Sequence, residues 1–251
     1  MALGGSLRSP PVDVTVGALL AAAVATLVGA AIQSSIGFGM NLVTVPVLAL
    51  VLPESLPVAV IVLGIPISVT MLRHEHGAVD RAGLGWLIGG RIPGTALAVW
   101  VVAVVSTAAL QVVVGGVVLA VVLASVVAPP IPVRPATQAV AGMVSGITGT
   151  AAGIGGPPVA LLYQHREGPT IRSTLAAAFL IGTGLSLSFL LAARLVTLEQ
   201  VALGVGLTPL VIVGAVWGRR SHATLERGWL RPAVLGFAAV SALLVIADAA
   251  L

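Results

Sequence analysis

Two apolar stretches of the chain are interrupted by glycines and small polar residues: residues 34–48, SSIGFGMNLVTVPVL, and residues 146–163, GITGTAAGIGGPPVALLY. A lipid-facing helix does not tolerate such a break, because every backbone group unwound into hydrocarbon costs several kcal/mol. The breaks are therefore expected to line a cavity inside the protein. Two of them, at matching places in the two halves of one chain, point to the binding site of a secondary transporter.

Composition sets the surroundings. Hydrophobic residues make up 58% of the chain and charged residues 8%, whereas soluble domains carry roughly a quarter charged residues. With mean hydropathy +1.15 and about 20 residues needed per span, there is room for about eight to ten crossings and little else. The predicted fold class is all-α, a polytopic protein forming a single membrane domain over residues 1–251. The chain has no cysteine, so neither a disulfide framework nor a thiolate metal or redox site is available. Its basic residues are all arginine, dispersed and without interleaved aromatics. That pattern fits loops at a cytoplasmic surface and gives no support to a nucleic-acid partner. The apolar run after Arg8 continues into the first glycine motif without a cleavage-like break, and is read as a retained membrane helix.

Three apolar runs, 40–52, 136–149 and 154–163, are too short for a hydrocarbon core of about 30 Å and read as half-helices. A single offset of 116 residues pairs Gly37 with Gly153, Gly39 with Gly155, Pro53 with Pro169, Gly90 with Gly206 and Pro93 with Pro209. It divides the chain into a first repeat at about 14–128, a linker at 129–135 and a second repeat at about 136–250. Arginines gather around 73–81, 134, 166–172 and 219–231, and at this offset most arginine-rich loops of one half fall on arginine-poor loops of the other. Such complementarity predicts two repeats of inverted topology with glycine-broken half-helices. Both termini, with Asp13, Glu54, Glu199 and Asp248, are then expected outside. Trp86, Tyr163, Trp217 and Trp229 are expected at the inner interface, where amphipathic rings settle.

On Gly37, Gly39, Val45 and Pro46, on Gly149, Gly153, Gly155, Gly156 and Pro157, and on Gly90 and Pro93, the chain resembles the TauE/SafE family of sulfite exporters and related anion permeases. The likeness covers essentially the whole chain, and it departs at Met40 and Asn41, where the family often continues its glycine run. It implies export of sulfite or an organosulfonate across a bacterial plasma membrane, with a small anion and the lipid bilayer as partners. No motif specifies an oligomeric state.

An anion entering a membrane needs donors that replace its hydration, and glycine lets unwound backbone N–H groups approach it. The expected substrate-binding residues are Gly37, Gly39, Gly153, Gly155 and Gly156 through the backbone, with Gln33, Ser34, Ser35, Asn41, Thr44, Thr148 and Thr150 adding side-chain donors. The competing reading is that these glycines only allow close helix packing. Arg91 is ten residues past Arg81, about 15 Å into its helix. An arginine at that depth faces a polar cavity or partner, or snorkels to the surface. No cofactor, metal or catalytic residue is expected: the alternation of His74, Glu75 and His76 does not put two histidines one helical turn apart. The alternatives to a carrier are an anion channel and a membrane-embedded enzyme, for which His74-Glu75-His76 is the sole candidate cluster.

Overall fold

The computed structural model describes residues 15–74, 79–127, 131–164, 168–220 and 230–250. Among them are ten α-helices: α1 Val16–Ile36, α2 Met40–Val51, α3 Val58–His74, α4 Arg81–Val104, α5 Thr107–Val127, α6 Pro135–Ala151, α7 Gly156–Tyr163, α8 Gly168–Ala192, α9 Leu198–Arg220 and α10 Leu230–Ala249. A 3-10 turn, Pro53–Ser55, joins α2 to α3. By length and composition, six helices can cross a membrane: α1, α4, α5, α8, α9 and α10. The chain is an all-helical, multi-pass membrane protein.

Local signals account for several boundaries. The Thr15 hydroxyl accepts from Ala18 N and starts α1, and the Asp80 carboxylate accepts from Gly83 N and starts α4. Pro135 stands at the first position of α6, where its missing N–H is no loss. The glycine breaks end two helices in mid-protein. α1 turns through Gly37–Gly39 into α2, which folds back along it, with the Thr44 hydroxyl donating to the Ala25 carbonyl. α6 turns through Ala152–Gly155 into α7 in the same manner. The half-helices expected at 40–52 and 154–163 are α2, of 12 residues, and α7, of 8, spanning about 18 and 12 Å. The third, expected at 136–149, is the 17-residue α6.

Hydrogen bonds between helix ends place the loops. Tyr163 and Gln138 donate to the Asp80 carboxylate, and Thr174 accepts from Asp80 N. The starts of α4, α6 and α8 therefore share one end of the bundle. The end of α9 joins them, because Ser35, two residues before Gly37, donates to the Gly218 carbonyl and Gly37 lies against the stem of Arg172 in the first turns of α8. At the opposite end Gln200 donates to the Glu54 carbonyl, and Gln111 bridges the Ala49 carbonyl and Asp248. Arg73, Arg81, Arg134, Arg172, Arg219 and Arg220 thus occupy one end, and Glu54, Glu199 and Asp248 the other.

Tyr163 lies at the arginine end but is not an interfacial ring. Its side chain is buried and its hydroxyl bonds to Asp80 and Gln138. Trp86 and Trp217 are half exposed on the outer surface. Trp229 and Asp13 lie outside the described residues.

Small residues let the halves interlock. A Cβ at Gly90, Gly94 or Gly142 would collide with the carbonyl of Ala139, Met143 or Leu87 across the α4/α6 seam, and one at Gly214 or Gly218 with Leu27 or Ala31 across α9/α1. This is backbone-to-backbone packing of the kind small residues allow in membranes. It makes Gly90 a packing glycine, whereas its partner at the 116 offset, Gly206, faces open space.

Candidate functional site

The two glycine breaks come together. Gly37 and Gly39 have φ of 100° and 116°, and Gly153 has φ of 71°, a region that side chains with a Cβ rarely adopt. In the first break Gly37 N donates to the Gln33 carbonyl at 2.7 Å. The Gln33 side chain then accepts from Met40 N at 3.1 Å and reaches the Met71 sulfur. In the second, Ala152 N and Ile154 N both donate to the Thr148 carbonyl. Asn41 Nδ2 donates to the Gly153 carbonyl and ties one break to the other.

Arg91 enters this junction from α4, near the helix middle and 6% exposed. Its Nη1 donates to Ser145 Oγ at 2.7 Å, and Ser145 donates in turn to the Gly155 carbonyl at 2.6 Å. Space for the guanidinium comes from three glycines. A Cβ at Gly182 would collide with it, and one at Gly149 or Gly155 would lie 2.8 or 3.1 Å from its nitrogens. Among the described residues no carboxylate pairs with Arg91, and its buried Nε has no hydrogen-bond partner. The snorkelling alternative is therefore not what the fold adopts. An arginine in a membrane interior costs about 3 kcal/mol or more, and among the described residues Ser145 is the one side chain that bonds to it.

A cavity of about 60 Å³ opens beside it, lined by Gln33, Gly39, Asn41, Gly153, Gly155 and Gly156 of the breaks and by Ser68, Arg91, Thr183 and Ser186 of α3, α4 and α8. Asn41 Oδ1 and Ser68 Oγ are, like Arg91 Nε, buried without a partner. Of the residues singled out from sequence, seven line this space: Gln33, Gly39, Asn41, Arg91, Gly153, Gly155 and Gly156. Thr150 stands just behind, sharing a 2.7 Å hydrogen bond with Ser186. The others lie elsewhere. Ser35 and Thr44 bond to backbone carbonyls of α1 and α9, Thr148 bonds back to Val144 and borders an apolar groove on the outer surface, and Gly37 faces Arg172. Ser34 is buried and its hydroxyl has no partner.

Sequence reasoning missed Ser68, Ser145, Gly149, Gly182, Thr183 and Ser186. A signal existed on α8: Phe179, Gly182, Thr183 and Ser186 follow 3- and 4-residue spacing, which puts them on one helix face. Backbone donation is more restricted than the glycine content suggests. Pro157 and Pro158 follow directly on Gly156 and carry no N–H, and in each hairpin the negative end of one helix stands beside the positive end of the next. Arg91 is left as the dominant positive charge. His74 is exposed and bonds to the Thr70 carbonyl. Glu75 and His76 lie outside the described residues, among which no grouping could hold a metal.

Residues 21–245 match the family model for the sulfite exporter TauE/SafE. No curated protein and no solved structure matches the chain.

Proposed function

Because the chain belongs to the TauE/SafE sulfite exporter family, we propose that it carries a small oxyanion, sulfite best of all, across a bacterial plasma membrane by alternating access around the cavity at Arg91. The observation that carries this reading is Arg91 itself, a buried guanidinium with no carboxylate partner among the described residues, at the meeting point of both glycine breaks. A protein retains an unpaired buried charge where a ligand of opposite charge completes it. The donor set suits an oxyanion: a forked guanidinium, the hydroxyls of Ser68 and Thr183, and the backbone at Gly155 and Gly156.

Two repeats of opposite topology supply the alternation. The α1–α2 hairpin enters from the acidic end and the α6–α7 hairpin from the arginine end, and each is followed by three helices, α3–α5 and α8–α10. Shifted by 116 residues, α4 Arg81–Val104 lies over α9 Leu198–Arg220, which runs the other way. The family description, the cavity and the charge all concern transport.

Purified protein in proteoliposomes should take up sulfite saturably and with counterflow, whereas an anion pore would pass ohmic current. Arg91→Gln should weaken sulfite binding about ten- to a hundredfold, a loss of about 1.4–2.7 kcal/mol. The loss should be greater for doubly than for singly charged sulfite, because the interaction energy scales with ligand charge. Affinities measured across the pH range in which sulfite changes charge check this, and equal losses for both forms would remove Arg91 from the site.

A further inference from the structure

We propose that Phe38 is the gate between the anion cavity and the arginine-bearing face of the protein. Phe38 and Pro157 line the cavity at Arg91 and also line a second cavity of about 170 Å³. The second cavity continues past Ala160 and Leu161 to Ser125, Gln164 and Ile171, at the end of α5, the end of α7 and the start of α8. These helix ends lie at the arginine end of the bundle, so the two cavities together trace a route from the site to that face. Of the two shared residues, Pro157 is fixed by its ring in the first turn of α7. Phe38 is the movable one.

Its backbone is built to move. Phe38 is flanked by Gly37 and Gly39, at φ of 100° and 116°, and glycine on both sides leaves the linking torsions free of Cβ restrictions. Its packing makes it a divider. The half-buried ring touches the large core cluster around Met40, Val45 and Ala152, and also the smaller cluster formed by Leu87, Val159, Tyr163 and Leu175, so it lies on the seam between them. On the cavity side a Cβ at Gly156 would lie 3.6 Å from Phe38 Cβ and 3.2 Å from the Phe179 ring. Phe179 lines the anion cavity alone. A rotation of Phe38 about its two glycines would join the cavities without disturbing either cluster elsewhere, and an apolar ring across the route blocks a hydrated anion while it is shut.

The gate rests on the transport reading for its purpose, but its test reads access and not flux, so the two fail separately. In this cysteine-free chain, Thr183→Cys reports from the cavity and Gln164→Cys from the far end of the route. Both are labelled in sealed vesicles with a membrane-impermeant anionic methanethiosulfonate applied from the face where Gln164→Cys reacts. Phe38→Ala should raise the labelling rate of Thr183→Cys at least tenfold, Phe38→Leu several-fold, and Phe38→Trp should lower it, while Gln164→Cys reacts at one rate in every background. Phe237→Ala, on an exposed ring of α10, should leave the Thr183→Cys rate within about twofold. An unchanged rate in Phe38→Leu, or an equal rise in Phe237→Ala, would overturn the assignment. Phe38→Leu keeps an apolar side chain on both clusters and serves where the alanine variant does not fold.

Discussion

At the scale of single residues, the site is built by what is missing as much as by what is present. Arg91 stays in the interior because Gly149, Gly155 and Gly182 have no side chains to occupy its space, and Ser145 holds one of its nitrogens. Gly182→Ala should push the guanidinium aside and reduce sulfite affinity about tenfold, or about 1.4 kcal/mol. Gly184→Ala, two positions on and facing open space, should leave affinity unchanged. Isothermal titration of the two variants in detergent checks the pair, and equal effects would show that α8 is disturbed generally and not at Arg91. Arg91 was legible in the sequence from its depth in α4. For Gly182 the spacing of Phe179, Gly182, Thr183 and Ser186 marks a shared face of α8, but that this face meets Arg91 of α4 is a fact of packing that no local pattern encodes.

At the scale of elements, α7 is short, and both of its ends must be held for Gly155 and Gly156 to stay at the cavity. Its far end is held by Tyr163, whose hydroxyl donates to Asp80 Oδ2 at 2.8 Å and accepts from Gln138 Nε2 at 2.8 Å. Asp80 also caps α4. The cluster therefore joins α4, α6 and α7, with α8 attached through Thr174. Tyr163→Phe removes one of the donors to the half-buried Asp80 carboxylate and leaves Gln138 without one of its acceptors, so the expected loss is about 1–2 kcal/mol of stability. Thermal unfolding in detergent should register it as a lowered Tm, whereas Thr137→Ala, on a partly exposed side chain at the start of α6, should cost less. The sequence pointed to Tyr163 as an interfacial aromatic. Its burial depends on Asp80 and Gln138, which are 83 and 25 residues away in the chain, and no periodicity reports a partner at that distance.

At the scale of the whole molecule, Arg73, Arg81, Arg134, Arg172, Arg219 and Arg220 at one end against Arg194 at the other give the protein a direction, and by the positive-inside rule we propose that the arginine-rich end faces the cytoplasm. In sealed vesicles, His74→Cys and Arg220→Cys should be labelled from one side only, and Ser106→Cys and Leu198→Cys from the other. Labelling of His74→Cys and Arg220→Cys from opposite sides would break the proposal of inverted repeats. The membrane class, the helical content, the two glycine breaks and the separation of charge were determined by the sequence alone. Each is a local property: apolar runs of spanning length, glycines where helix cannot continue, and loop arginines that are costly to move across a bilayer. Which polar groups meet was decided only in three dimensions. Arg91 joins Ser145 and Gly182, Asn41 joins Gly153, and Thr44 and Thr148 turn to neighbouring backbone instead of the cavity, because side-chain direction depends on how each helix is rotated against its neighbours. Tight glycine seams set that rotation, and the complementarity of two surfaces is not written in either one alone.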